Sequence, residues 1–392
     1  MRVSARLGVV ALLSVVLGAC NRKSAPSEVV GRDSAGVRII DVASADQPLP
    51  WSFTEVRRLG GADSGPGAFT EANGYTVATD AMGLIYVLDP LASQVQVFDT
   101  TGHAVRSMGR KGGGPGEFQW PASVTVRPNG EVNVFDIGKQ SLVRFAADGS
   151  MLPQLSLQPY GFPASQLRLT GDTLIMVVPR QTDNEKYRVM RLRMVSPRDS
   201  IEIARDSAPT PGLVMFSCVG MNIPAPFSSD LAWGSLGSRV AVTRRVPYVV
   251  DVYDQGRLVS SVRRNLPTIT ATTEHVSRLY PDGMKVKFGN GGECTITSRE
   301  ILEKLGAGGQ VPLIKGIAFG ADSTLWVERY TFADEEPSVD VFGSAGRYLG
   351  TLDGKSLPLG FAGPDLVLFP LEDEATGAKL VGIYRINRRP AG

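Results

Sequence analysis

The chain has 392 residues, long enough for one large or two ordinary domains, and a formal net charge of only +2. No basic face stands out in that balance, so nucleic acid is not an expected partner. Two histidines in the whole chain exclude a three-histidine zinc centre.

Arg2 and Arg6 precede a short apolar run, Leu7–Ala19, which closes as Leu17-Gly18-Ala19-Cys20. The run falls short of the ~20 apolar residues that span a bilayer. Its charged start, apolar middle and small-residue end are those of an export signal. Those four closing residues resemble the bacterial lipobox. The resemblance implies that Cys20 becomes the acylated first residue of the mature chain and holds it to the membrane, each buried CH2 contributing about 0.8 kcal/mol. The alternative is an ordinary signal peptide followed by an incidental cysteine.

Removing residues 1–19 takes two arginines and brings the formal charge to zero. The polar segment that follows, NRKSAPSEVVGRDSAG, reads as a tether. Residues 20–50 are therefore assigned to a lipidated tether and lead-in, and the expected location is the cell envelope, at its periplasmic face or the cell surface.

With Cys20 assigned to lipid, Cys218 and Cys294 remain as an even pair in a compartment that permits disulfides. They either bridge or stay as two buried thiols. No CxxC spacing supports a structural zinc site.

From residue 51 onward, short β-branched and aromatic runs alternate with turns drawn from the chain's 44 glycines and 26 prolines, the pattern of an all-β protein. A repeat is plainest over residues 75–156. Val77 falls on Val124, Gly83 on Gly130, Asp89 on Asp136, Phe98 on Phe145 and Gly102 on Gly149, at a constant offset of 47 residues. Each copy holds four short alternating segments, which form a small antiparallel sheet that cannot bury both faces alone. Such sheets stack radially as propeller blades.

Weaker copies place blade three up to about residue 204, blade four over DLAWGSLGSRVAVTRR and YVVDVYDQGRLVSSVRR, and blade five over residues 314–354. Blade six ends with the chain and lacks an outer strand. The unpaired segment WSFTEVRRL, residues 51–59, is assigned as that strand, closing the ring and covering two exposed edges.

The expected fold is thus an all-β, six-bladed β-propeller over residues 51–392. Two segments depart from the repeat, near 205–228 and 265–312. In the second, Thr297 with Glu300 and then Gly306 predicts a short helix, and another is expected around Glu274–Leu279. One cysteine lies in each insertion, so a bridge would tie them over one face of the ring. The insertions either carry binding or cover an otherwise open apolar end.

The sequence GGGPGEF, followed by Trp120-Pro121, a strand, Asn129-Gly130, a strand and LVRFAADG, resembles an NHL repeat. The whole chain resembles the six-bladed β-propeller lipoproteins of bacteria, with NHL and TolB-like propellers as its fold relatives. The likeness implies the fold rather than an activity, since propellers host unrelated functions.

RKGGGPGEF has no GK[ST] ending and so fails as a phosphate-binding loop. Its relative GADSGPGAF precedes blade one as it precedes blade two. The six residues Gly65, Pro66, Gly67, Gly114, Pro115 and Gly116 are therefore assigned to blade-junction turns. Asp89 and Asp136 are assigned to turn capping rather than to metal. The acids of ADEEP, residues 333–337, read as a solvated loop. Arg110 and Lys111 have no counterpart in GADSGPGAF and read as solvated surface charges, with contact to an anionic ligand as the alternative.

His103 and His275 are distant in sequence, and no GxSxG elbow exists, so neither histidine-rich NHL lyases nor serine hydrolases fit. The leading expectation is a monomeric, lipid-anchored binding or scaffold protein for a protein, peptide or glycan ligand, with no cofactor and no catalytic residues. The alternative is a calcium-dependent lactonase similar to gluconolactonases. That resemblance implies a channel site of acids and amides such as Asp80, Glu328 and Asn73, though no local motif selects them.

Overall fold

The computed structural model describes residues 30–61, 67–161, 163, 167–181, 187–196, 199–209, 211–228, 230–287 and 292–388. Residues 1–29, with Cys20, and the junction residues Gly65 and Pro66 lie outside them.

Six antiparallel four-stranded units form a ring. Blade one comprises Val77–Thr79, Ile85–Asp89, Gln94–Phe98 and Ala104–Met108. Blade two repeats it with Pro121–Val126, Val132–Asp136, Ser141–Phe145 and Met151–Ser156. The middle strands of both are almost wholly buried and the outermost strands mostly exposed, as expected when sheets stack face to face around an axis.

Blades three to five follow in chain order, ending at Pro209, Arg264 and Asp353. Blade six takes Gly360–Phe361, Leu366–Glu372 and Lys379–Asn387 from the C-terminal end of the chain. Its outermost strand is Ser52–Leu59, paired antiparallel with Lys379–Asn387, so the two ends of the chain close the ring as the sequence predicts.

Six apolar clusters hold neighbouring blades together. Between blades one and two, for example, Tyr86, Leu88 and Val97 meet Val124, Val134 and Val143. The other interfaces follow the same rule. Each fully buried side chain of this size contributes about 1.5–3 kcal/mol.

The lead-in differs from a simple tether. Val30–Ser34 and Val37–Val42 form a hairpin, and Val37–Val42 lies parallel to Arg257–Arg264, extending blade four to six strands. Ile40 and Val42 are thereby buried in the cluster between blades four and five. Residues 43–51 then run as a strap along the outer strand of blade five, where Leu49 N–H donates to the Thr351 carbonyl at 2.9 Å and Thr351 N–H to that of Gln47 at 2.7 Å.

The strap is clamped by charge. The Arg264 side chain, fully buried, donates to the Ala43, Ser44 and Ala45 carbonyls and to Asp46. Arg329 bridges Asp46 and Asp340, and the Tyr248 and Thr351 hydroxyls donate to Asp340 at 2.7 Å each.

Candidate functional site

Strand alternation fixes which loops share a face. The connection from each outermost strand to the next innermost strand, and that between second and third strands, emerge at the same end of the ring. Both insertions and the loop 330–337 are connections of these kinds, between blades three and four, blades four and five, and within blade five.

On that face the insertions fold as one unit with its own core, in which Phe216, Phe227, Val276, Ile296, Ile301 and Phe332 are buried. Each insertion contributes a small hairpin, Val214–Met215 with Gly220–Met221 and Met284–Lys287 with Glu293–Ile296. Both expected helices form, Thr273–Leu279 and Ser298–Leu305. Thr297 Oγ1 accepts the Glu300 N–H, and Gly306 stops the second helix at φ +70°.

Cys218 and Cys294 are joined, with Cα atoms 6.3 Å apart. Glu300 accepts from the Ser217 N–H and hydroxyl, adding a polar tie between the two insertions. Asp334 and Glu335 are not merely solvated. They pair with Arg278 at 2.7 and 2.8 Å, which holds both carboxyls below the usual range and draws the blade-five loop onto the unit.

Between this unit and the ring lies a groove in two joined compartments. The inner one, about 230 Å³, is bounded by Met190, Leu279, Pro312 and Tyr330. The outer one, about 670 Å³, is reached by Arg244, Lys304 and Gln310. Ala225, Phe227, Asp230 and Arg245 line both. Arg245 and Asp230 face each other at 3.8 Å, too far for a hydrogen bond. Burial holds the Tyr330 hydroxyl above its ordinary range. A concave, largely apolar space with a few convergent polar groups can hold a ligand of moderate size.

The residues singled out from sequence fall elsewhere. Gly67 and Gly116 both take positive φ, +85° and +69°, and a Cβ on either would meet the partner blade's side chains, Phe98 at 2.8 Å or Met151 at 2.5 Å. The phenylalanines that follow are equally matched. Phe69 packs edge-on to Phe98 at 6.0 Å, and Phe118 to Phe145 at 6.1 Å.

Gly114 donates its N–H to Glu117 at 2.7 Å and accepts from Lys139 Nζ at 2.7 Å, while Pro115 sits exposed at the tip. Arg110 pairs with Glu117 at 2.9 Å. The Gly114 N–H and the loop's first cation are thus engaged within the loop itself. Asp89 and Asp136 cap equivalent turns, accepting from Leu91 and Ala92 and from Trp120 and Lys139 respectively.

Asn73, Asp80 and Glu328 are not brought together. Asn73 caps a turn at the insertion face, accepting from the Tyr75 N–H. Asp80 caps a first-to-second-strand turn at the opposite face, accepting from Met82, Leu84 and the Tyr86 hydroxyl. Glu328 is buried on blade five and pairs with Lys315 at 3.0 Å. Among the described residues, no group of three or more His, Cys, Asp or Glu side chains is placed to hold a metal ion. His103 belongs to the Asp99–Thr101 turn, and His275 stacks on Phe332 within the insertion unit.

Sequence reasoning missed Arg244 and Arg245. A signal existed, since the repeat places them in the blade-four turn where blade one carries Pro90-Leu91. Thr243 there accepts the Arg245 N–H as Asp89 accepts that of Leu91.

A family model described as a 6-bladed beta-propeller matches residues 58–198. No curated protein matches the sequence. Among solved structures, the chain is similar to a protein from Bacteroides fragilis described as exported, at 15% identity over 89% of this chain and 99% of that one, with a TM-score of 0.50. It is also similar to a member of the DUF4221 family from Bacteroides vulgatus, at 10% identity over 87% and 99%, with a TM-score of 0.49. A streptogramin B lyase aligns at 12% identity over 86% and 98%, with a TM-score of 0.39. At such identities the likeness concerns the six-bladed fold. No helix among the described residues is long and apolar enough to cross a membrane.

Proposed function

We propose that this protein is a lipid-anchored binding protein of the bacterial cell envelope, non-catalytic, whose ligand seats in the groove between the insertion unit and the ring. The observation that carries this reading is the groove itself. The regular blade connections are short, whereas the two long ones are built into a stapled unit with its own core and leave a cavity of about 670 Å³ beside it. A cover for an open end needs no such space.

The export signal and Cys20 support placement at the envelope, as does the exported character ascribed to the Bacteroides fragilis protein of the same fold. Lipid on Cys20 would hold the ring at the membrane through a polar segment. The ligand would be a protein, peptide or glycan, or a fragment of one.

The test is native mass spectrometry of the full chain purified from its own membranes in mild detergent. A mass adduct present in the wild type and lost in the double variant Arg245→Glu, Lys304→Glu supports the groove. An adduct unchanged by those substitutions, or no adduct, contradicts it.

A further inference from the structure

We infer that the groove selects a ligand joining an apolar group to a carboxylate, with the apolar group in the outer compartment and the carboxylate on the Arg245 guanidinium. This rests on the reading of the groove as the binding site and adds the chemistry it recognises.

Size and lining set the first half. The inner compartment, about 230 Å³, has Ser228, Asp230 and Arg245 in its wall beside Met190, Leu279 and Tyr330, whereas the outer one, about 670 Å³, is walled in large part by apolar groups such as Pro209, Pro211, Val246 and Leu305. An apolar cavity of about 150 Å³ already takes benzene. A phenyl ring or branched alkyl group therefore fits the outer compartment, which leaves room for the rest of the ligand.

Arg245 sets the second half. It stands where the two compartments meet, and its backbone is fixed there at φ +68°, a region that non-glycine residues seldom occupy. Its N–H donates to Thr243 Oγ1 at 3.0 Å, and its carbonyl accepts the Leu313 N–H at 2.9 Å. Both anchors aim the side chain into the groove. Its guanidinium lines both compartments.

The Arg245 side chain is nearly a third exposed, and a guanidinium fork matches a carboxylate with two parallel bonds. Asp230 does not fill that role, because its nearest oxygen stays 3.8 Å from Nη2. Arg244 and Lys304 add positive charge along the outer compartment, so the local field favours an anion.

The test uses three probes on the full chain, followed by calorimetry: N-acetyl-phenylalanine, its amide, and a pentapeptide ending in phenylalanine with a free carboxylate. The acid should bind about tenfold or more tighter than the amide, the difference expected for one charge-assisted pair. Arg245→Gln should abolish that preference. Asp230→Asn, which removes the competing charge, should raise the ratio of acid to amide affinity, and it serves as the readout if Arg245→Gln fails to fold.

Tighter binding of the pentapeptide than of the single residue would assign the carboxylate to a polypeptide end. The reverse would assign it to a small free acid, and either result supports the chemistry. Equal binding of acid and amide, no binding of the acid at millimolar concentration, or a preference that survives Arg245→Gln overturns it. If the wild-type adduct still depends on the groove when the carboxylate preference fails, the groove stands and only its selectivity is wrong. Loss of both removes the groove reading as well.

Discussion

Arg264 and Asp340 face each other with Nη1 and Oδ2 2.9 Å apart and both side chains fully buried. The contact is ionic rather than an aligned hydrogen bond. Asp340 also takes two bonds from Arg329 and one each from Tyr248 and Thr351, so one carboxylate serves two guanidinium groups. Removing it leaves those charges buried beside each other. Asp340→Ala should cost about 3–5 kcal/mol, the range for breaking a buried pair. Urea unfolding followed by tryptophan fluorescence checks this, and a loss under 1 kcal/mol, as is usual for an exposed pair, would mean that the network is not a clamp.

Asp46 gives the strap a pH dependence. Arg329 lowers its carboxyl most, burial opposes and Arg264 assists, taking it from 3.8 to about 2. A depressed folded value means stability that is present above about 4 and lost as the pH falls towards about 2. The side chain is half exposed, so screening keeps the contribution below about 1 kcal/mol. Asp46→Asn should flatten the acid limb of the unfolding midpoint between those values, and no change in its slope would contradict the assignment.

The Cys218–Cys294 bridge closes a loop over a sequence separation of 76 that passes through all of blade four. Loops of this length typically gain about 2–4 kcal/mol from cross-linking. Cys294→Ser should loosen the insertion unit first, so limited proteolysis should cut within 205–228 and 265–312 while blades one and two persist. Simultaneous loss of all blades would place the bridge in the ring's own stability.

The glycine-rich loop is expected to behave as architecture. Phe118 is fully buried at the junction, and Phe118→Ala should cost about 3–5 kcal/mol. Lys111 is exposed, and Lys111→Ala should stay within about 0.5 kcal/mol of the wild type. Thermal melts of the two variants decide the matter, and a phosphate-dependent shift abolished by Lys111→Ala would restore a phosphate-binding reading.

What the sequence reveals follows the repeat. Blades one and two are legible because turn glycines and inward apolar residues recur at one offset, and WSFTEVRRL is legible as the closing strand because blade six lacks one. The parallel docking of Val37–Val42 on blade four leaves no such trace, since it joins segments more than 200 residues apart without a turn to signal it. The clamp is hidden for the same reason: Asp46, Arg264, Arg329 and Asp340 meet only in three dimensions. Arg245 was partly legible, as a cation in a turn position that carries an apolar residue in blade one.

The anchor is tested separately by Cys20→Ala and membrane fractionation. Release of the variant into the soluble fraction is the expected outcome, and continued membrane association would reject lipid on Cys20 as the cause.

The most direct measurement of the central claim is site-specific photo-crosslinking in the native envelope, with the reactive residue at Gln310 in the groove or at Thr101 on the opposite face. Both positions are exposed. A groove that binds ligand predicts a defined adduct from Gln310, weakened by Arg245→Glu, and none from Thr101. Adducts of equal yield from both positions, or from Thr101 alone, would contradict it.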